Sequence, residues 1–277
     1  MAGTIGAIDA DHTRHDAEAS RALARALDVP ELAWYAELPS TMDVAHVLAA
    51  RGAPSGTLVL ADAQTRGRGR GGKRWHSAPG GGLWMTLIDR PTDASGLEVL
   101  SLRVGLRAAR ALDRFAPSPV RLKWPNDLML PDGKLGGILV EVRWRERRPE
   151  WVALGLGVNL RPSGVPGAAA LGAAAGQAQR SSDHREQADR AAQGADRETV
   201  LGELLPALRA ACRRAGPLTS DELREFAERD WARGRRVSAP RAGTVAGISA
   251  AGELVIDTAG GMVHCATGSL VLDGETP

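Results

Sequence analysis

Two short apolar runs constrain this chain more than any other feature: Thr57-Leu58-Val59-Leu60-Ala61-Asp62-Ala63 and Leu83-Trp84-Met85-Thr86-Leu87-Ile88. Bounded by glycine and proline, both read as buried strands. Between them lies Gln64-Thr65-Arg66-Gly67-Arg68-Gly69-Arg70-Gly71-Gly72-Lys73-Arg74-Trp75, which alternates glycine with fixed positive charge and closes on an indole. Arg-Gly runs also occur in disordered RNA-binding tails, and such tails sit among polar, low-complexity residues. Flanked by buried strands, this segment is instead a strand-to-strand connection on a folded core, a usual place for a binding site. Its glycines let the backbone fold tightly around a ligand. The forks of Arg68 and Arg70 suit phosphate or carboxylate oxygens, and Trp75 offers a flat surface for a base or other ring.

The chain has 277 residues, 43% hydrophobic and 25% charged, enough for one large domain and a small satellite. A net charge of +2 is too small to argue for nucleic acid by itself. Arginine far outnumbers lysine, which reads as codon usage rather than function. Cys212 and Cys265 lack metal-like spacing and read as semi-buried free thiols in a reducing compartment. His12 and His15 read as solvated side chains of a polar tail. With no charged-then-apolar leader and no membrane-length apolar stretch, a cytoplasmic protein is expected.

Residues 1–30 read as a flexible tail carrying one short amphipathic helix near Ala17 to Leu27. Ser40 and Asp43 read as a capping box opening a helix to about Arg51. A long helix is expected over Leu97 to Phe115, with Arg103, Arg107, Arg110 and Arg114 as a solvated stripe. Next come strands at 120–124, 127–130, 134–144 and 151–160. Residues 162–197 lose almost all large apolar residues and read as a mobile insertion. Helices follow from Thr199 and, with Ser220 as N-cap, to Ala232. The main domain is placed at 31–233, and five short strands at 234–277 suggest a small SH3-like β-barrel.

Three further segments put polar groups or glycines where a core expects neither. Lys123-Trp124-Pro125-Asn126-Asp127 interrupts a buried strand pair, and each unsatisfied polar group there would cost about 1–3 kcal/mol. A ligand or metal partner is the expectation. Lys134-Leu135-Gly136-Gly137-Ile138-Leu139-Val140-Glu141 places a cation before two glycines at a strand start, where backbone can touch a flat substrate. Gly155-Leu156-Gly157-Val158-Asn159 fits that logic or plain strand packing.

Together with Ser40-Thr41 and Gln64, these motifs resemble, in order and spacing, the catalytic domain of biotin protein ligases over residues 32–272. The resemblance implies an α/β (α+β) fold, a class II synthetase-like mixed sheet flanked by helices with a C-terminal SH3-like barrel. It implies activation of biotin with ATP as biotinyl-5'-AMP and transfer to a lysine of a biotin carboxyl carrier domain of an acyl-CoA carboxylase. Biotin contacts fall on Ser40, Thr41, Gln64, Gly67, Arg68, Gly69, Arg70, Lys134, Gly137 and Gly155. ATP contacts fall on Arg68, Lys73, Trp75, Lys123, Asn126 and Asn159, with Mg²⁺ at Asp127. Arg70, Lys123 and Lys134 would be catalytic. A lipoate-type ligase of the same fold is the nearest alternative, and a nucleic-acid-binding module using Arg66 to Arg74 a more distant one. Met42 stands where the family has asparagine, so one polar contact is lost or Met42 turns into the core. The tail is too short for the winged-helix DNA-binding domain of some members, so neither DNA nor membrane is an expected partner. The loop at 66–75 is expected to be poorly ordered until ligands close it.

Overall fold

The computed structural model describes residues 14–172 and 196–274. Seven strands, β1 (Leu32–Leu38), β2 (Leu58–Gln64), β3 (Gly82–Asp89), β4 (Arg121–Lys123), β5 (Asp127–Leu130), β6 (Gly133–Arg145) and β7 (Arg148–Asn159), form one sheet of order β1-β2-β3-β7-β6-β5-β4. β1 and β2 run parallel and every other pair is antiparallel. Both faces are covered, which explains why the central strands are continuous apolar runs: successive side chains point to opposite faces. Thus Leu58 and Leu60 join one core cluster, and Val59 and Ala61 the other.

The larger layer holds α1 (Ala17–Ala26), α3 (Leu100–Leu112), α4 (Arg197–Cys212) and α5 (Ser220–Arg229). On the opposite face lies α2 (Thr41–Ala50), which buries Val44, Ala45 and Leu48 against Val59, Ala61 and Ile88. A second, five-stranded antiparallel sheet follows the helices: β8 (Arg236–Ala239), β9 (Gly243–Ile248), β10 (Leu254–Thr258), β11 (Gly261–Cys265) and β12 (Val271–Leu272), in the order β11-β10-β9-β8-β12. This is the small sheet expected of an SH3-like module. Its Val237, Val245, Leu254 and Ile256 join the larger core cluster, so it packs on the main body. Among the described residues no helix is long and apolar enough to cross a membrane.

Several expectations need correction. Of the tail placed at 1–30, residues 1–13 lie outside the described residues, as does His12; the remainder is folded. Asp16 caps α1, and Leu23, Leu27 and Val29 are core residues. His15 is not solvated: it stacks on Trp34 with centroids 4.0 Å apart and reaches Asp62 at 2.7 Å. Arg103 leaves the supposed solvated stripe altogether. Its guanidinium is fully buried, 2.8 Å from Glu222, and donates to the carbonyls of Arg214, Gly216 and Pro217. Arg110 and Arg114 stay exposed as expected, while pairing with Glu225 and Glu203. α5 is capped by Thr219, one residue before the expected Ser220, because Thr219 and Glu222 complete a reciprocal capping box. Of the insertion at 162–197, residues 173–195 lie outside the described residues, while Ala169, Ala170 and Leu171 are buried.

Candidate active site

A cleft opens on the α2 face of the sheet, and strand register makes its floor. Gly137 on β6 sits opposite Gly157 on β7, which sits opposite Trp84 on β3. Gly155, two residues along β7, pairs with Leu139 and Thr86. The period of two therefore places Gly137, Gly155 and Gly157 on one face of adjacent strands, an area with no side chains. A methyl group on Gly157 would lie 2.7 Å from the Trp75 indole nitrogen, and one on Gly155 2.8 Å from the Met42 sulfur. What approaches these two glycines in this structure is protein, the Trp75 indole and the Met42 thioether.

α2 starts at the end of this floor, and its first turn supplies polar groups. Gln64 Oε1 accepts from the Thr41 amide at 2.8 Å, while Gln64 Nε2 donates to Ser77 Oγ at 2.8 Å. Thr86 Oγ donates to Thr41 Oγ at 2.9 Å. These bonds fix the orientation of Gln64, and Ser77 and Thr86 were not singled out from sequence because hydroxyls in such contexts carry no motif. Ser40 occupies the N-cap position of α2, yet its hydroxyl makes no capping bond and has no partner among the described residues, though it is buried. The expected capping box is absent there. A buried hydroxyl left unsatisfied costs about 1–3 kcal/mol, and this one borders a narrow cavity of about 50 Å³. Met42, the departure from the family pattern, both packs in the α2 core and lines that cavity.

Trp75 and Lys134 stand where the narrow cavity meets a broad one of about 410 Å³. Trp75 lies over the glycine floor, edge-on to Trp84 at 6.2 Å, and its buried Nε1 lacks a partner among the described residues. The Lys134 ammonium is 5.3 Å from the Trp75 ring centroid and 2.6 Å from Asp127 Oδ1. Arg70, Gly69 and Asn126 also face both cavities.

The broad cavity gathers Lys73, Lys123, Asn126, Asp127 and Asn159. Two walls were not anticipated. Residues 163–168, taken from sequence as part of a mobile insertion, line it, tied down by the Lys134 amide to Gly167 oxygen bond at 2.8 Å. Residues 269–271 of the small sheet line the other side, and Arg70 donates to the Gly268 carbonyl. The small sheet therefore helps to enclose this cavity, a role its sequence leaves undetermined. Asn126 Nδ2 donates to Ile138 oxygen at 2.8 Å, and Asn159 Nδ2 to the carbonyls of Lys134 and Ala169. Both amides thus brace the walls with their donor ends. Among the described residues no cluster of three or more His, Cys, Asp or Glu could hold a metal ion. The single carboxylate of Asp127 suits a Mg²⁺ that arrives on nucleotide phosphates, since that ion typically needs only one or two protein carboxylates.

Arg68 lines the narrow cavity but not the broad one, and its guanidinium donates to Asp43 at 2.8 Å and to Glu141, which cancels much of its charge. Glu141 in turn faces His46 Nε2 at 2.8 Å, and Trp151 Nε1 donates to His46 Nδ1 at 2.9 Å. That bond makes Nδ1 the acceptor, so Nε2 carries the proton and donates to Glu141. Gly67 lies outside the narrow cavity wall; a methyl group there would meet the Trp75 carbonyl at 2.5 Å and Gln64 Nε2 at 3.1 Å. The basic loop itself is folded as a tight hairpin, through Gly69 amide to Lys73 oxygen at 2.7 Å and Trp75 amide to Gly67 oxygen at 2.8 Å.

A mixed sheet whose glycine floor runs from the first turn of a helix into a cation-lined cavity defines an α/β ligase-type fold. Residues 34–159 match the Biotin/lipoate A/B protein ligase family. It is 39% identical over 138 residues to the bifunctional ligase/repressor BirA of Bacillus subtilis (strain 168), spanning 49% of this chain and 42% of that protein. To the biotin--[acetyl-CoA-carboxylase] ligase of Paracoccus denitrificans it is 39% identical over 125 residues, 44% of this chain and 51% of the relative. The chain thus spans about half or less of the curated relatives it matches. The structure is similar to that of the biotin protein ligase from Aquifex aeolicus in complex with biotin and ATP, with a TM-score of 0.65 and 25% identity. That likeness covers 88% of this chain and 98% of the other.

Proposed function

We propose that this protein is an ATP-dependent biotin ligase that forms biotinyl-5'-AMP and passes the biotinyl group to a lysine of a biotin carboxyl carrier domain. The observation that carries this reading is the joining of two unlike cavities at Arg70, Trp75 and Lys134. The narrow one suits a small, flat, bicyclic head on a glycine floor, with the unpartnered Ser40 hydroxyl and the Thr41–Gln64 pair for its ureido group. The broad one suits a nucleotide. The names of the relatives that match the chain point the same way.

Joining a carboxylate to an α-phosphate brings two anions together, which costs several kcal/mol at contact in a moderately polar site. Fixed positive charge answers this. Lys134, at the junction, is placed for the carboxylate and the acyl-phosphate oxygen; Arg70 and Lys123 offset charge that develops in the transition state. Asp127 holds Lys134 and would accept the nucleotide's Mg²⁺, whose chemistry when bound is to neutralise the pyrophosphate that leaves. The Trp75 indole rests on the glycine floor, so an acid that takes this floor moves the indole outward, where it is free to cover the adenine. Closure of the basic loop excludes water from the mixed anhydride. The acceptor lysine attacks as the neutral amine, so transfer speeds up as pH rises.

The direct test mixes protein, ATP, Mg²⁺ and either biotin or lipoate, then measures pyrophosphate release and the mass of an added carrier domain. Biotin-dependent, ATP-dependent gain of one biotinyl group on the carrier is the expected result. Pyrophosphate release with lipoate and none with biotin would replace this reading by the lipoate one. Protease cleavage at 66–75 should slow when biotin and ATP are added; unchanged cleavage removes the closure step.

A further inference from the structure

Of the 35 lysines and arginines in this chain only three are lysine, namely Lys73, Lys123 and Lys134. All three line the broad cavity. Codon usage accounts for a preference for arginine but not for the gathering of every lysine at one place. The two cations differ chemically in the respect that matters here. A guanidinium stays protonated and is no nucleophile, whereas a lysine that sheds its proton is an amine. On the reading given above, which this inference rests on, the cavity produces an amine-reactive acyl-adenylate. A surface built with arginine alone keeps its charge and offers that species no side-chain acceptor.

The three lysines are not equivalent. Lys134 is held 2.6 Å from Asp127. Lys123 is half-buried on β4, beside the proline bend. Lys73 is exposed at the tip of the basic loop, and its ammonium has no ion pair or hydrogen bond among the described residues. It lines the broad cavity and also the open groove on the outer side of the loop, which Arg66, Arg74 and Leu139 border. Lys73 does not line the narrow cavity, but an amine without an ion pair on a loop that walls the broad cavity has a high effective concentration relative to a lysine delivered from solution once that loop closes over the intermediate.

We propose that Lys73 is a self-acylation site, taking the acyl group from the adenylate when no carrier lysine is presented. In the step, the neutral Nζ attacks the acyl carbon and a C–N amide bond forms. The C–O bond to phosphate breaks, AMP leaves with the electron pair, and the surplus proton on nitrogen passes to solvent. No oxidant or reductant is involved. The product is a loop with one cation fewer.

The test incubates the full chain with biotin, ATP and Mg²⁺, without carrier, and follows intact mass and peptide mapping. One biotinyl adduct per chain at Lys73 is expected, forming at a rate independent of protein concentration over a tenfold dilution, rising with pH and suppressed by added carrier. Lys73→Arg should lose the adduct. An adduct on Lys123, Lys134 or the N-terminal amine overturns the assignment, as does an adduct that persists in Lys73→Arg. A carrier domain labelled by the same preparation while the ligase stays unmodified also overturns it and leaves the ligase reading standing. Labelling of neither, with no pyrophosphate released, overturns both.

Discussion

At the narrow end of the cleft most of the wall comes from neighbouring strands and the helix that lies on them, joined by Arg68, Gly69, Arg70 and Trp75 of the basic loop, whereas the broad end is assembled from segments as distant as Gly69 and Val271. The narrow end gets its shape from register: Gly137 opposite Gly157, Gly155 opposite Thr86, and polar groups already bonded to each other through Thr41, Gln64, Ser77 and Thr86. Few degrees of freedom remain there. The broad end instead has charged side chains from the basic loop, the β4–β5 turn, residues 163–168 and the small sheet. Selectivity for the acid should therefore reside in rigid backbone, and reactivity in charges held by packing between remote segments.

The most forceful challenge to this division is at Lys134, the cation both ends share. Lys134→Ala should lower adenylate formation by about 10²–10³-fold, the usual cost of removing one preorganised stabilising group. Folding should survive, since the Lys134–Asp127 pair is partly exposed and such pairs contribute at most about 1 kcal/mol. Single-turnover pyrophosphate release alongside thermal unfolding separates the two. A full burst in the mutant would remove Lys134 from the chemistry.

Next in size is the floor. Gly157→Ala puts a methyl group on the floor itself, 2.7 Å from where the Trp75 ring nitrogen rests; a ligand ring that takes the indole's place would meet the same methyl, and overpacking of that kind costs about 1–3 kcal/mol, or about 5–150-fold in affinity. Calorimetry should show that loss for biotin, with nucleotide affinity changed by less than about 3-fold. Equal losses for both ligands would show that the two ends are not separately built.

What sequence could reveal follows the same line. The narrow end was largely readable because strand alternation and glycine placement are local: Gly137, Gly155, Ser40, Thr41, Gln64 and Arg68 all line that cavity. Gly67 does not, because it is pressed against the Trp75 carbonyl inside the hairpin, and no motif reveals that Arg68 is also engaged by Asp43 and Glu141. The broad end was harder. Nothing in Ser163 to Ala168 or Gly268 to Val271 is chemically marked, and only the tertiary fold brings them to Lys123 and Arg70. Arg103 was misjudged for a related reason. A helical stripe of arginines reads as solvated until α5 brings Glu222 onto it, whose carboxylate burial disfavours but Arg103 holds below the ordinary glutamate range.

A smaller effect is expected from Arg70→Gly, which deletes the one loop side chain that both faces the cavities and grips the small sheet at Gly268. Formation of the adenylate should fall by less than the about 10²–10³-fold expected at Lys134, because Lys123 and Lys134 remain, while its retention fails. Added lysine-bearing bystander proteins should become biotinylated, and the extent should drop when a scavenging amine is present. A variant that keeps its intermediate bound would show that the clasp between loop and small sheet does not hold the product.

The smallest effect concerns the junction that carries the broad end. The Trp231 amide donates to Leu122 oxygen at 2.8 Å, one residue before Lys123, and beside it Asp230 is 1% exposed with one carboxylate oxygen unpartnered among the described residues. Burial pushes its carboxyl above the ordinary value of 3.8, although the amides of Ala232 and Arg233 oppose the shift. The folded state therefore binds a proton here more readily than the unfolded chain, and stability from this group is lost as pH rises from 3.8 through the higher folded value. Asp62 behaves in the opposite sense. Burial disfavours its charge, but hydrogen bonds from Trp34, Arg197 and His15 hold it low, so its contribution is lost only as pH falls below 3.8. Subtracting the denaturant-unfolding curve of Asp230→Asn from that of the parent protein should leave a slope confined to the region above 3.8, with the parent losing stability there as pH rises. A flat difference would mean that Asp230 is ionised and adequately partnered in the fold, and that the broad end rests on a junction as settled as the strand register of the narrow one.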